Sequence, residues 1–429
     1  MSEYLKAIFE LKELRQKFLF TLFMFAIYRL GSHIPLPGIN SDALRDFLSS
    51  MEGSIFALYD IFSGGNLSRL TVFALGVMPY ISASIMMQLL TVAIPQLQRL
   101  AKEEGDYGRY KINEYTKYLT LFVALIQSFG ITLWIRGQVS PKGIPVVDNP
   151  GISFILITVI TLVAGTMFLV WIADRITERG IGNGASLIIF AGIVAGFPSA
   201  LIQFNERVKT GDIGPLTLLF IVALVIGIII SIVYIQEAER RIPIQYPGRQ
   251  VGRQLYAGRR TYLPIKLNPA GVIPIIFAQA LLLIPSTILN FIEHPFVNIF
   301  AQMFTPGSIF YNFVYVTFII FFTYFYTAVL INPIEIAENL HKGGAFIPGV
   351  RPGQDTVKYL EKLINRLVFF GAIFLSIIAL IPILVSVWLN IPFYFGGTTA
   401  LIVVGVALDT FRRIETYLIQ KKYKSYVRR

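Results

Sequence analysis

Metal binding or proton transfer in this chain would have to begin with His33, His294 and His341, and their spacing rules that out. They lie too far apart in sequence to match any zinc pattern, and with no cysteine there is neither a thiolate ligand nor a disulfide framework. The acids bordering apolar segments, Asp174, Glu237, Glu335 and Asp409, all stand at segment ends. An ion-coupled transporter would carry Asp, Glu or His inside its spans, facing a pathway. Gly180-Ile181-Gly182-Asn183-Gly184 is rich in glycine, but no strand precedes it. It reads as a tight turn into a span, not as a dinucleotide-binding loop. No nucleophile–base pair can be picked out, so the chain reads as a non-enzyme without a cofactor. The polar residues that do enter apolar runs are uncharged: Ser82, Ser84, Gln88, Gln127, Asn268 and Gln279. Such residues either hydrogen-bond between helices, at about 0.6–2 kcal/mol each, or form a polar seam that can part and re-form. For Gln127 and Gln279 both readings stay open.

The elements that must position these residues are membrane helices. The chain has 429 residues, 55% of them hydrophobic and 14% charged, with mean hydropathy +0.65; a soluble domain carries about 25% charged residues. Apolar runs long enough to cross a bilayer recur at roughly 18–33, 72–94, 116–136, 152–173, 183–203, 214–236, 268–290, 309–332, 367–388 and 393–411, ten spans in all. An even number of spans puts both termini on one side, and basic residues choose that side. Of 37 Lys and Arg, only Arg29, Arg45, Arg69, Arg136, Lys142, Arg207 and Lys209 fall opposite the termini. Both termini are therefore expected in the cytoplasm. Residues 1–17 are charged, with a helical pattern and no cleavage site after them. They read as an interfacial amphipathic helix or as a solvated leader to the first span. Residues 18–205 and 206–411 hold five spans each, so the second half enters the membrane inverted relative to the first, as in proteins built around a midplane site. Residues 412–429 form a basic tail.

Residues 59–90 break the pattern. Their second half is apolar enough for a membrane, but the first is interrupted by Gly64-Gly65 and carries Asn66, Ser68 and Arg69. Lipid cannot satisfy backbone groups freed by such a break, which is tolerated only inside protein or beside a water-filled cavity. A short helical piece within an aqueous interior is the expected form. On the basic side, two loops are unusually long. Residues 237–267 carry Arg240, Arg241, Arg249, Arg253, Arg259, Arg260 and Lys266 against Glu237 and Glu239, with interleaved Gly, Pro and Tyr that suggest a protruding hairpin. Residues 333–366 present Arg351 between Val350 and Pro352. Attraction to anionic lipid, about 1 kcal/mol per charge near the surface, accounts for the charge but not for the length of these loops.

Several blocks together resemble the SecY family of protein-translocation channels. They are Phe62-Ser63-Gly64-Gly65 with Leu67-Ser68-Arg69, Phe73-Ala74-Leu75-Gly76, Met78-Pro79-Tyr80-Ile81-Ser82-Ala83-Ser84-Ile85, Thr177-Glu178-Arg179-Gly180-Ile181-Gly182-Asn183-Gly184, Gly344-Ala345-Phe346-Ile347-Pro348-Gly349-Val350-Arg351-Pro352-Gly353, and Phe393-Tyr394-Phe395-Gly396-Gly397-Thr398. They run in family order along nearly the whole chain. The resemblance implies an all-α clamshell of two inverted five-helix halves around an hourglass pore in the bacterial cytoplasmic membrane. It implies a pore ring of Val77, Ile81, Ile189, Ile276 and Ile402, with Ala185 at a sixth position. The physics agrees for the first pair: Val77 and Ile81 are four apart on one helix face, and an apolar constriction sheds water and ions. The resemblance further implies a plug over residues 55–70, including Phe62, Ser63, Gly64, Gly65, Asn66, Leu67, Ser68 and Arg69. A lateral gate for signal peptides would include Ser82, Met86, Gln127, Ile276, Gln279 and Ile284. Implied partners are the motor ATPase SecA or the ribosome at the basic loops, the subunits SecE and SecG, nascent chains and anionic lipids. Arg351 is expected to be the most sensitive docking contact.

Overall fold

The computed structural model describes residues 11–49, 60, 63–103, 105–211, 214–247, 249–251, 254–256, 258, 260–290, 303–304, 308–389 and 397–427. Ten of its helices overlie the ten expected spans. In chain order, α1 is Lys12–Gly31 and α2 the short Ser41–Ser49; α3 is Met78–Ala93, α4 Pro95–Glu103, α5 Gly105–Arg136, α6 Ile152–Arg179, α7 Gly184–Lys209 and α8 Pro215–Glu237. After four strands come α9 (Ile273–Asn290), α10 (Ile309–Leu330), α11 (Pro333–Lys342), α12 (Gln354–Leu389) and α13 (Gly397–Val427). Among the described residues, six helices are long and apolar enough to cross a membrane, and seven if α3 and α4 count as one span bent by 104°.

That bend has a local cause. Pro95 pushes the residue before it out of the helical region, and Ile94 is extended at φ −104°, ψ 114°. Proline then suits the first turn of the next helix, where its missing N–H costs nothing. The glycine-rich stretch before α7 is the turn its sequence suggests. Asn183 caps the helix by accepting from Ala185 N (3.1 Å) and Ser186 N (3.4 Å). A Cβ on Gly184 would lie 1.8 Å from the Ala173 carbonyl oxygen, so only glycine permits this approach to α6. At the other end of the chain's first span, residues 12–17 are not a separate surface helix: they are continuous with α1. Residues 1–10 lie outside the described residues.

The chain divides into two compact units. The first comprises Met1–Leu218, Ala280–Tyr311 and Val406–Arg429; the second comprises Leu219–Gln279 and Asn312–Gly405. This division does not fall at 205/206, where counting spans put it. In the first unit, the two ends of the chain meet: Leu14, Ile181 and Ile414 form a small core. Tyr417 donates to the Glu13 carboxylate beside it, with Lys17 over the Tyr417 ring at 5.2 Å. In the second unit, β1 (Glu239–Gln245) pairs antiparallel with β4 (Arg260–Lys266), and β2 (Arg249–Val251) with β3 (Gln254–Tyr256). The long basic loop is thus a two-step hairpin. Alternate residues of β1 point inward, and Ile242 packs with Ile265, Ala337, Ile347, Leu360, Ile364 and Val368 into one core. That core fixes the hairpin, α11 and the start of α12 as one body.

Candidate functional site

Residues 63–77, between α2 and α3, are where the sequence placed a polar break in an apolar chain. Asp60 and Ser63 are helical, and residues 64–77 run on as a string of turns; 55–59 and 61–62 of the expected short helix lie outside the described residues. The reason lies in the backbone: Gly64 and Gly65 both sit at φ +77°, Leu70 at +41° and Gly76 at +57°. Four left-handed residues in so short a run cannot propagate a right-handed helix. Leu70 carries the only positive φ of a non-glycine among the described residues, which costs about 1–2 kcal/mol. Backbone pairing with the end of the first span holds it there: Leu36 N donates to Leu70 O at 2.9 Å and Val72 N to Ile34 O at 3.0 Å.

The polar side chains of this segment face one another. Ser63, Asn66 and Thr71 are buried. The Ser63 hydroxyl donates to the Asp60 carbonyl (3.0 Å) and accepts from the amides of Asn66 and Leu67 (3.2 Å each). Tyr28 Oη, on α1, donates to Ser63 O at 3.1 Å and accepts from Asn66 Nδ2 at 3.3 Å, while that same amide also donates to Ser63 O. Thr71 Oγ1 donates to Asn66 Oδ1 at 3.3 Å. Asp60 Oδ1 accepts from Ser68 N at 2.8 Å. Burial pushes the Asp60 carboxyl up from its ordinary range, and the bonds from Ser68 and Ser63 pull the other way without cancelling it.

Packing ties this network to the first unit. A Cβ on Gly64 would lie 2.6 Å from the Cα of Gly192 on α7 and 2.7 Å from Tyr28 Oη. A Cβ on Gly165, in α6, would lie 2.1 Å from the carbonyl oxygen of Val72. Stacked rings run outward from the segment: Tyr28 to Phe73 (6.1 Å), Phe73 to Phe168 (6.2 Å) and Phe168 to Trp171 (5.6 Å), with the Arg175 guanidinium 5.7 Å from the Trp171 ring. Arg69 alone turns outward, and is exposed with Nη1 3.4 Å from His33 Nε2. Ser63 to Arg69 of the expected plug are thus built into the wall of the first unit, whereas 55–59 and 61–62, including Phe62, lie outside the described residues. Sequence reasoning missed Tyr28, Asp60 and Gly192. Asp60 had a readable signal, an acid in an apolar stretch with Ser63 and Ser68 one and two turns on; Tyr28 and Gly192 had none.

Val77 and Ile81 lie at the start of α3, one turn apart, and both are buried in the first unit, as is Ile189 on α7; Ala185 is half-buried. Ile276 on α9 and Ile402 on α13 are buried in the second unit. Of the expected gate residues, Ser82 is buried, Met86 exposed and Gln127 half-buried on α5, and Gln279 is buried on α9; the side chain of Ile284 lies outside the described residues. The Oε1 atoms of Gln127 and Gln279 are buried without a hydrogen-bond partner. A fixed interhelical bond, one of the two readings left open, is therefore not made by either oxygen. Such an orphan costs about 1–3 kcal/mol, a cost relieved when a polar group or water reaches it.

On the basic side, Arg240 and Arg241 on β1 and Arg260 on β4 are exposed; Arg241 Nε meets Glu239 Oε1 at 2.8 Å. Arg249 stands on β2, and Arg253 and Arg259 lie outside the described residues. Arg351 is exposed in a turn shaped by Gly349 (φ +82°) and Gly353 (φ +104°), with its carbonyl held by Thr356 Oγ1 at 2.9 Å. Gln245 and Phe346 exchange backbone bonds (2.9 and 3.0 Å), so the Arg351 loop is stitched to the hairpin.

Comparison with known proteins covers the whole chain. A family model described as SecY matches residues 71–411. The chain is 86% identical, over all 429 residues and the full length of the relative, to a protein of Aquifex aeolicus (strain VF5) described as protein translocase subunit SecY. It is 44% identical over 423 residues, 98% of this chain and 95% of the other, to the protein of that description from Escherichia coli (strain K12). Among solved structures, one described as a protein conducting channel superposes with TM-score 0.66 at 16% identity, over 94% of this chain and 92% of that one. Another, described as Sec61 in the canine ribosome–channel complex from the endoplasmic reticulum, superposes with TM-score 0.64 at 16% identity and the same coverage.

Proposed function

This chain belongs to the SecY family, and on that premise we propose how its residues divide the work of a protein translocase. It is the protein-conducting subunit: a multi-pass membrane protein that passes unfolded secretory polypeptides across the membrane and releases transmembrane segments into it. A passing chain needs a path that is wet when occupied and sealed when idle. Val77, Ile81, Ile189, Ile276 and Ile402 serve as the aliphatic seal, because apolar side chains shed water yet yield to a polypeptide. Residues 55–70 serve as the plug, with Ser63–Arg69 as its anchored base. The lateral gate uses Ser82, Met86, Gln127, Gln279 and Ile284. A signal peptide entering there would gain from burying apolar groups in lipid, about 0.8 kcal/mol per CH₂.

The observation that carries this reading is the network of Tyr28, Asp60, Ser63, Asn66 and Thr71, buried within an apolar chain and satisfied from within. A segment with that much internal polarity is costly to embed and makes sense as a fixture beside a water-accessible path. Single-channel conductance tests it. Deleting residues 58–69 should convert a silent channel into one that leaks ions; an unchanged, silent membrane overturns the plug assignment.

The driving force comes from partners. Arg240, Arg241, Arg249, Arg253, Arg259, Arg260 and Arg351 serve as the docking surface, suited to ribosomal RNA phosphates in a salt-dependent way and to the motor ATPase SecA. Ribosome-bound relatives of the same fold support the first of these. SecE and SecG complete the assembly, and both termini face the cytoplasm of a bacterium across its inner membrane.

A further inference from the structure

We infer that the exposed stripe at the start of α12 is a binding site for one anionic phospholipid. Lys358, Lys362 and Arg366 follow at i, i+4 and i+8, so their side chains stack along one helix face. Phe369 and Phe370 continue that face where the apolar span begins; they are 50% and 62% exposed, with ring centroids 5.8 Å apart in an edge-to-face pair. Together with Glu361 and Asn365 these residues line an open recess of about 880 Å³. The opposite face of the same helix, Leu360, Ile364 and Val368, is buried in the core of the second unit, so the stripe cannot rotate away from solvent and lipid.

The heights match a lipid. A helix rises about 1.5 Å per residue, which puts Arg366 roughly 5 Å and Lys362 roughly 11 Å beyond Phe369. The headgroup layer beside the hydrocarbon is about 5–8 Å deep, within reach of both long side chains. The two rings then lie against acyl chains while the cations reach phosphate level. Some cations on these helices close ion pairs with a carboxylate one turn away: Lys111–Glu114 at 2.9 Å, Arg175–Glu178 at 2.7 Å and Lys342–Glu338 at 3.3 Å. Lys358 and Glu361 have the spacing of the first two pairs and form none, nor do Lys362 and Arg366 pair with any acid among the described residues. Lys358, Lys362 and Arg366 outnumber the two acids near them on this helix, Asp355 and Glu361, which favours an anion, and the exposed rings beneath call for acyl chains that a soluble phosphate lacks.

The test places a reporter in the site of the full-length chain, purified with whatever subunits accompany it. Phe370→Trp is reconstituted in phosphatidylcholine vesicles containing brominated phosphatidylglycerol or, at equal fraction, brominated phosphatidylcholine, and quenching is read against the Phe370 parent. Stronger quenching by the anionic lipid is expected, equivalent to a local enrichment of about fivefold, the worth of one basic residue near an anionic surface. Replacing Lys358, Lys362 and Arg366 together by Gln should remove the preference. Equal quenching by the two lipids overturns the inference, and this arm needs no charge variant to fold. A preference that survives the triple substitution overturns it too, and one erased by 10 mM inorganic phosphate marks a soluble-anion site instead.

Discussion

Ser63, Asn66 and Thr71 are buried and bonded to one another and to Tyr28, whereas Arg240, Arg260 and Arg351 stand in solvent on a frame equally well defined. In the first unit polarity is turned inward, where buried side chains hold a string of turns in shape by bonding to one another. In the second it is turned outward, on a hairpin and a glycine-shaped turn whose hydrophobic undersides do the holding. The buried region should therefore respond to substitution through stability, and the exposed one through function with stability unchanged.

The sharpest way to break that comparison is Arg351→Glu. Reversing one exposed charge should reduce post-translational export at least tenfold while leaving thermal unfolding in detergent unmoved; near-normal export would remove Arg351 from the docking surface. Next in size is Gly64→Ala. Its Cβ would meet Gly192 at 2.6 Å from a residue at φ +77°; left-handed strain and overpacking together cost about 3 kcal/mol, read as a lowered unfolding temperature. An unchanged midpoint would mean the segment is free to shift. Asn66→Leu should cost about 1–3 kcal/mol, because Tyr28 Oη and Thr71 Oγ1 are left buried without that partner. Pairing it with Tyr28→Phe should recover part of the loss, and strict additivity would argue against a shared network.

The smallest effect concerns pH. Burial holds the Asp60 carboxyl above its ordinary 3.8, so the folded state binds a proton more readily than the unfolded chain. Asp60 therefore costs no charge-burial penalty at low pH, and its contribution to stability declines as pH rises from about 4 through the raised value. Asp60→Asn keeps an acceptor for Ser68 N and has no charge to bury. It should flatten that decline and leave the protein at least as stable as the parent at neutral pH. A steeper decline in the variant would contradict the sign.

Much of this was legible in one dimension. Ten spans, the basic side and the odd count per half follow from hydropathy and charge, since a bilayer imposes one length and one chemistry on every helix that crosses it. The hairpin at 237–267 was readable from interleaved Gly, Pro and Tyr, and the turn before α7 from its glycines. The anchored state of Ser63–Arg69 was not. The polar residues there suggested water, and the structure gives them Tyr28, 35 positions away in sequence from Ser63. Nor did the sequence reveal that the Oε1 atoms of Gln127 and Gln279 are left unbonded, because that depends on which neighbours the packing brings within 3.5 Å.

Composition and periodicity determined what this chain is made of: membrane helices in two inverted sets, a broken polar segment, and a basic face. Tertiary structure decided which polar groups are satisfied and which are left over. Burial within lipid is a property of a local run of residues, but a hydrogen bond or a glycine contact needs two distant segments to arrive at one place.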